Sequence, residues 1–214
     1  MSLAPADERR RAAWNAARQA LGARADGLDA LLSALLACYR EPHRHYHTVQ
    51  HLDECFERLA PLRDRAAHPA EVEVALWFHD AVYDVQRHDN EARSATWAVD
   101  ALTARGVGAA AAQRVHRLVM ATRHSAPTDT PDETLLVDVD LSILGADPAR
   151  FDEYERQIRA EYAWVPEPVF RARRRAVLEQ FLARERLYGT PPLAALLERP
   201  ARENLARSIA RLAA

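Results

Sequence analysis

The amino-acid sequence predicts an all-α protein. Alanine and leucine, two strong helix formers, dominate its apolar residues, whereas glycine occurs only 6 times in 214 residues. Apolar residues recur at helical spacing along almost the whole chain, and helix start signals precede many of these segments. The chain has no internal repeat and no linker long enough to separate domains. We therefore expect one helical domain over residues 1–214.

In the first half of the chain, residues typical of helix ends delimit each predicted helix. Gly22 marks the end of the first helix. Asp26, Thr48 and Asp89 stand where an N-cap side chain can accept a backbone hydrogen bond, and Pro69 suits a first turn. The segment between the second and third helices is not helical in character. The predicted helices cover about residues 5–23, 26–39, 49–59, 69–80, 89–105 and 109–123.

In the second half, a short apolar stretch over residues 135–144 is interrupted by Asp138 and Asp140. Few of its residues are β-branched, which favours a buried helix over a strand. Asp147 followed by Pro148 is a strong start signal, because a cap precedes a proline in the first turn. The predicted helices that follow cover about residues 147–162 and 169–186, and then short helices, bracketed by Pro191-Pro192 and Pro200, that end at residue 212.

Charge and composition exclude several classes of protein. The formal net charge of −2 argues against a dedicated nucleic-acid binder, which needs clustered positive charge. The longest apolar run, residues 28–38, is too short to span a bilayer, and the N-terminus lacks the apolar segment of a signal peptide. Cys38 and Cys55 do not have the spacing of a metal knuckle or a disulfide framework. We therefore expect a cytoplasmic protein without nucleic-acid or membrane partners. One run of basic residues is predicted to be the solvated face of a helix: Arg171, Arg173, Arg174 and Arg175.

Histidine and aspartate occur where apolar helices are predicted to begin or end. His51 lies four residues after His47, close to one face of a helix starting near Thr48. The pair His79-Asp80 ends a strongly apolar helix, and carboxylates interrupt the apolar stretch around residue 140. Buried imidazole and carboxylate groups are costly unless something pairs with them. Each feature alone is also typical of a core pair or a helix cap, but together they favour a divalent cation.

The order His51, His79-Asp80, Asp140 resembles the H…HD…D signature of the HD superfamily of phosphohydrolases. The element YHTVQHL is similar to the YHNxxHA element of cyclic-nucleotide phosphodiesterases, whose second histidine binds metal and whose first acts near the leaving group. The resemblance implies that His51 is a ligand and His47 an acid. Similarity of Asp140-Leu141-Ser142 to the DLS element makes Asp140, rather than Asp138, the last ligand. Thr48 replaces the asparagine, so cyclic nucleotides are not implied.

A closer resemblance is to a bacterial group described as predicted metal-dependent HD phosphohydrolases. The stretches that carry it are EPHRHYHTVQHL, ALWFHDAVYD, NEARSA and DVDLSILG, which span about residues 41–145. The family fold is an all-helical HD domain, so residues 146–214 are expected to be a helical extension. The implied activity is hydrolysis of a small phosphate ester or nucleotide by a water molecule that one divalent ion activates. This ion would be Mg²⁺, or Mn²⁺ or another transition metal.

The resemblance also implies roles for individual residues. His51, His79, Asp80 and Asp140 would hold the metal, and Asp80 would in addition orient the attacking water. Arg44 and His124 are candidates to balance charge on the phosphoryl group. Glu91 and Asp138 are candidates to support the ligands or a metal-bound water.

Several alternatives stay open at this point. Arg44 is also placed to pair with Glu41, and Glu91 to favour a helix N-terminus. His88 and His116 are interpreted as exposed or structural, although with His124 they would be available to a di-iron oxygenase of the same superfamily. A nucleotide-binding or regulatory module that has kept the fold without catalysis is a further hypothesis.

Overall fold

The computed structural model describes residues 5–25 and 27–213, without the side chains of Pro5, Ala6 and Leu28. Within these residues the chain forms ten α-helices, two 3₁₀ helices and no β-strand, so the predicted all-α class is confirmed. None of the helices in the described part is long and apolar enough to cross a membrane. The α-helices are α1 Pro5–Ala20, α2 Leu28–Cys38, α3 Val49–Leu59, α4 Pro69–Phe78, α5 Asn90–Ala104, α6 Ala109–Ala121, α7 Pro131–Asp140, α8 Pro148–Glu161, α9 Glu167–Leu182 and α10 Pro191–Ala213. The 3₁₀ helices are Ala60–Arg65 and Leu141–Gly145.

The structure confirms some of the predicted helix start signals and contradicts others. The Thr48 hydroxyl accepts a hydrogen bond from the Gln50 backbone N–H at 3.3 Å, as a cap should, and Pro69 lies in the first turn of α4. Asp89 occupies the N-cap position of α5 but does not cap it, because both of its carboxylate oxygens accept from Arg87 at 2.7 Å. The predicted cap role of Asp89 is therefore wrong.

Two other predicted caps have different outcomes. Asp147 precedes α8 without a side-chain cap hydrogen bond, so only Pro148, in the first turn, acts as predicted. Asp26 lies outside the described residues. α2 begins after Gly27, whose φ of 68° is in the left-handed region that favours glycine. The apolar stretch around residue 140 is helical as predicted, although α7 already begins at Pro131 and ends at Asp140.

By its pattern of contacts the chain divides into two compact units, and the first comprises Met1–Glu41 and His47–Leu136. α4 is the centre of this unit and contacts α1, α3, α5 and α6. Nearly every residue of α4 is buried, including Glu71, whose carboxylate accepts two hydrogen bonds from Arg114 of α6. Its aromatic residues pack edge-on or tilted against three neighbouring helices: Trp77 against Trp14 and Phe56, and Phe78 against Trp97. The end of α4 is therefore held firmly in the core.

The second unit comprises Pro42–Tyr46 and Val137–Ala214. Here the 3₁₀ helix Leu141–Gly145 packs on α8 and α10. A Cβ atom at Gly145 would lie 2.7 Å from the Leu197 Cβ and 2.9 Å from the Leu197 carbonyl oxygen, so this close approach requires glycine. The side-chain amide of Asn204 on α10 donates to the carbonyl oxygens of Leu144 and Ala146. α10 thus supports the chain that directly follows α7.

The last helix differs from the prediction of short helices bracketed by prolines. α10 is one helix with Pro200 in its interior. Pro200 cannot donate to the carbonyl of Leu196, but Leu196 is 57% exposed, so that carbonyl lies on the side of α10 that water can reach. On the opposite side, buried residues at helical spacing keep the helix continuous: Leu193, Leu197, Ala201 and Leu205. Packing therefore outweighs the local effect of proline.

The arginine run of α9 corrects a second prediction. Arg173 and Arg175 are exposed as expected for a solvated face. Arg174, in contrast, is nearly buried and forms an ion pair with Glu155 of α8, while its guanidinium lies 5.0 Å from the centre of the Tyr154 ring. Arg174 is therefore a core residue. It differs from its neighbours because α8 presents both a carboxylate and an aromatic ring to it.

Candidate metal centre

The first potential ligand, His51, belongs to the first turn of α3. Thr48 caps the helix and so fixes where its first turn begins. The side chain of His51 is directed into the core, with only 2% of the residue exposed. Cys55 lies one turn later on the same face and is also buried. The Cys55 sulfur is 3.7 Å from Nδ1 and 3.8 Å from Nε2 of His51. A thiol therefore lies against the imidazole of His51.

The second potential ligand, His79, directly follows α4 and is 1% exposed. Its Nδ1 lies 2.8 Å from the carbonyl oxygen of Leu76. A carbonyl can only accept a hydrogen bond, so Nδ1 carries a proton and donates it. In the neutral imidazole, Nε2 then has a lone pair. The ring is thus oriented as that of a metal ligand whose outer nitrogen is held by the backbone.

His51, His79 and Asp80 bring three electron-rich atoms together. Nε2 of His79 lies 3.2 Å from Nε2 of His51 and 2.9 Å from Oδ2 of Asp80, and the third distance, from His51 to Asp80, is 3.6 Å. A proton on His79 would satisfy some of these contacts, whereas one divalent cation would satisfy all three. The three atoms lie on a circle of radius about 1.9 Å, smaller than a metal–ligand bond of about 2.0–2.2 Å. One ion can therefore be at bonding distance from all of them.

Asp140, the last residue of α7, offers a further carboxylate. With one ring nitrogen each from His51 and His79 it forms a group of potential metal ligands whose atoms all lie within 4.8 Å of one another. Asp138 is two residues earlier, on a different side of the helix. Its buried carboxylate accepts the backbone N–H groups of Gly189 at 3.2 Å and Thr190 at 2.5 Å, and burial raises its pKa. Asp138 thus holds a loop, while Asp140 belongs to the potential ligand group.

His47 lies beside the ligand group but does not belong to it. Its ring packs on the ring of Tyr83, with centroids 4.2 Å apart and planes inclined by 30°. The centroid of the His51 ring is 6.0 Å away. Tyr83, which follows the His79-Asp80 pair by three residues, therefore fixes the plane of the His47 imidazole.

Two of the other predicted site residues lie in unusual backbone or side-chain environments. Arg44 is buried and belongs to the second unit, where the neighbouring backbone N–H groups of His45 and Tyr46 donate to Glu161 at 2.8 and 2.7 Å. His124 has a φ of 54°, which is uncommon for residues other than glycine. This conformation turns the chain sharply after α6.

Three further residues considered from the sequence lie on helices or loops of the first unit. Glu91 is in the first turn of α5, where the helix dipole favours a carboxylate, and the outer nitrogen of His79 is held by Leu76 rather than by Glu91. His88 is exposed and His116 is half-buried. Neither histidine belongs to the ligand group with Asp140.

The stretch NEARSA acts through two residues that the sequence did not single out. The Asn90 side chain accepts from the Asp84 N–H at 3.2 Å and donates to the Asp84 carbonyl at 2.9 Å. The Ser94 hydroxyl, which is fully buried, accepts from the Val82 N–H at 3.0 Å. These bonds fasten the loop after His79-Asp80 to α5. The only hint in the sequence was their residue type, because Asn90 is a polar residue at a helix start and Ser94 a small polar residue among apolar ones.

Tyr39 is a second residue that the sequence did not single out. Its buried hydroxyl accepts from the Asp80 N–H at 3.3 Å and lies 3.3 Å from the carbonyl oxygen of Trp77, to which it can donate. The phenol therefore bridges the last turn of α4 and Asp80, two residues after the end of this helix. A polar atom at the end of the leucine-rich α2 was the only hint of this role.

The arrangement offers nitrogen and oxygen donors in a buried environment, which suits a divalent transition metal or Mg²⁺. Two imidazoles and carboxylates leave coordination positions for water or substrate, as in catalytic rather than structural metal centres. The residues His51, His79 and Asp140 could hold such an ion. Comparisons of the chain with protein-family models, curated proteins and solved structures gave no match.

Proposed function

We propose that this chain is a metal-dependent phosphohydrolase of the HD type that acts on a small phosphate ester or a nucleotide. The observation that carries the proposal is the convergence of His51, His79 and Asp80 at the end of a buried helix. The resemblance of these residues and of Asp140 to the HD signature supplies the reaction class. The proposed ligands are therefore His51, His79, Asp80 and Asp140.

A bound divalent ion would supply a nucleophile near neutral pH, because it lowers the pKa of coordinated water, and would neutralise phosphoryl charge. Asp80 has a distinct part in this chemistry. Its Oδ2 faces both histidines, and its second carboxylate oxygen is proposed to accept a hydrogen bond from the attacking water and orient it. Asp80 is thus proposed to act both as a ligand and as an orienting residue.

His47 is proposed as the general acid that protonates the leaving oxygen. It packs on Tyr83 beside His51, and it is not one of the three residues His51, His79 and Asp140 that could hold an ion. A fixed ring plane favours directed proton transfer. Arg44 and His124 are proposed to balance the charge of the phosphoryl group, and Glu91 to support a metal-bound water.

The test combines metal analysis with a screen of phosphate esters and nucleotides on full-length protein purified without chelator. We expect about one divalent ion per chain in the wild type and loss of the ion in His51→Ala. His47→Ala should retain the ion and lose turnover by about 10²–10⁴-fold, the usual range for a general acid. The exposed His45→Ala serves as the matched control and should change neither quantity.

Asp80→Asn separates catalysis from binding. It keeps the size of the side chain and one coordinating oxygen, so the variant should remain folded and lose more activity than metal. A wild type that binds no divalent ion would refute the metal centre. A wild type that binds metal and a nucleotide but turns over none of the substrates would replace hydrolysis by a sensing function.

A further inference from the structure

We infer that Tyr188 is a positioning residue for Asp140 and that the loop over residues 187–190, together with α10, holds the turn that carries this ligand. The inference rests on the proposed function, because it takes Asp140 as a metal ligand. It assigns a role to the C-terminal helices, which contain none of the proposed ligands. All contacts that carry it lie within the second unit.

The hydroxyl of Tyr188 binds next to Asp140. Tyr188 is 1% exposed, and its hydroxyl donates to the carbonyl oxygen of Leu141 at 3.0 Å. Leu141 directly follows Asp140 and begins the 3₁₀ helix. A backbone carbonyl has two lone pairs and can accept a second hydrogen bond beside one within the helix. Tyr188 donates this bond to the start of the 3₁₀ helix from a position 47 residues further along the chain.

The same loop also holds the chain before Asp140. The two residues after Tyr188, Gly189 and Thr190, donate their backbone N–H groups to the carboxylate of Asp138. The loop therefore contacts the chain two residues before Asp140, in α7, and one residue after it, at the start of the 3₁₀ helix. The last turn of α7 cannot rotate or unwind without breaking one of these contacts.

α10 in turn holds the loop. The carboxylate of Glu198 accepts the backbone N–H groups of Leu187 and Tyr188 at 3.0 and 3.2 Å. Arg202 donates to Glu198 at 2.8 Å, and its guanidinium also donates to three carbonyl oxygens at the end of α9 and in the following turn. These carbonyls belong to Leu182, Arg184 and Glu185. A continuous series of hydrogen bonds thus runs from α10 through the loop to both sides of Asp140.

Residues that orient a metal ligand without binding the metal themselves affect how tightly the metal is bound. Replacing a residue that orients a ligand commonly lowers metal affinity by about 10–100-fold. Tyr188 contacts the backbone beside the ligand rather than the carboxylate itself, so we expect the lower end of this range. Tyr188→Phe removes only the hydroxyl and keeps the ring volume, which preserves the packing.

The experiment measures Mn²⁺ binding by titration calorimetry on full-length protein that has been stripped with chelator and dialysed. Tyr188→Phe should raise the Kd by about 10-fold relative to the wild type. Ser208→Ala is the matched control: it also removes one buried hydroxyl of the second unit, bonded to Glu155 at 2.7 Å, but contacts no ligand turn. Its Kd should stay within about 2-fold of the wild type. The visible spectrum of bound Co²⁺, which reports ligand geometry, should change only in Tyr188→Phe.

The possible outcomes separate the positioning role of Tyr188 from the existence of the metal centre. If the wild type binds Mn²⁺, His51→Ala does not, and Tyr188→Phe binds like the wild type, the positioning role is refuted while the metal centre stands. An equal loss in Tyr188→Phe and Ser208→Ala also refutes it, since it would reflect general destabilisation. If the wild type binds no Mn²⁺, the proposed function itself fails. Glu198→Gln, which weakens the anchor of the loop, provides a second variant and should raise the Kd in the same direction.

Discussion

Replacing Tyr39 by phenylalanine tests how the turn bearing His79 and Asp80 is held in place. The substitution keeps the ring in the core and removes one hydroxyl. That hydroxyl accepts from the Asp80 N–H and lies within hydrogen-bond distance of the Trp77 carbonyl, at 3.3 Å in each case. Phenylalanine offers neither an acceptor nor a donor, so both bonds to Tyr39 are lost without a change in packing volume.

The size of the effect follows from these two bonds. Taking the partner away from a buried polar group costs about 1–3 kcal/mol. Both distances are longer than the usual 2.9–3.0 Å of strong bonds, which places the loss at about 1–2 kcal/mol. For a chain of this length, 1 kcal/mol corresponds to about 2–4 °C in Tm. We therefore expect Tyr39→Phe to unfold about 2–8 °C below the wild type.

Two assays check this expectation. Urea denaturation followed by circular dichroism gives the free energy of unfolding, and hydrogen exchange reports whether the Asp80 amide opens faster. Thr96→Ala is the control, because it removes a hydroxyl that is bonded to Ala92 on the exposed surface of α5 in the same unit. It should stay within about 0.5 kcal/mol of the wild type. A Tyr39→Phe protein as stable as this control, with unchanged exchange at Asp80, would refute the reasoning.

Three further variants probe the second unit. Gly145→Ala places a methyl group against the backbone of α10 and should lower the free energy of unfolding by about 1–3 kcal/mol. Arg174→Ala leaves a nearly buried carboxylate without its ion pair and should cost about 3–5 kcal/mol. Hydrogen bonds from Arg211 and Arg207 lower the pKa of Asp152 from 3.8 to about 2. The contribution of Asp152 to stability is therefore complete above about pH 4 and is lost as the pH falls towards 2. Asp152→Asn should therefore differ from the wild type at neutral pH and converge with it near pH 2.

For each of these variants, a control substitution or a pH comparison gives a result that would contradict the expectation. Gly108→Ala meets no atom within 4 Å, so a loss as large as that of Gly145→Ala would exclude a steric cause. Arg175→Ala on the exposed side of α9 should change stability by less than about 0.5 kcal/mol, and an equal loss at both arginines would contradict the buried ion pair. For Asp152, a difference from the asparagine variant that stays constant down to pH 2 would contradict the lowered pKa.

The sequence was sufficient to predict the all-α class because its signals are local. Helical periodicity and the prolines at residues 69 and 148 act within one turn, and the helices begin where these signals stand. The predictions were wrong where a distant or competing partner decides. Asp89 bonds to an arginine instead of the helix end, and buried contacts along α10 keep the helix continuous through Pro200. Single-residue signals do not contain this information.

The same distinction applies to the candidate metal centre. The pattern of histidine and aspartate indicated a metal centre, and the resemblance to the HD signature indicated His51, His79 and Asp140, three residues that could together hold an ion. The residues that hold these ligands were not indicated. Tyr39 and Tyr188 act through backbone atoms 41 and 47 residues away, and a backbone partner imposes no residue pattern that the sequence could display.

The packing of Trp77 gives the protein an optical probe of its own. This indole lies two residues before His79 and is fully buried against Trp14 and Phe56, whereas Trp164 is 54% exposed. Buried indoles fluoresce at shorter wavelength than hydrated ones, and a paramagnetic ion quenches the emission of those closest to it. If the proposed centre binds Co²⁺, titration with this ion should therefore dim the blue edge of the emission spectrum, where Trp77 emits, without any added label.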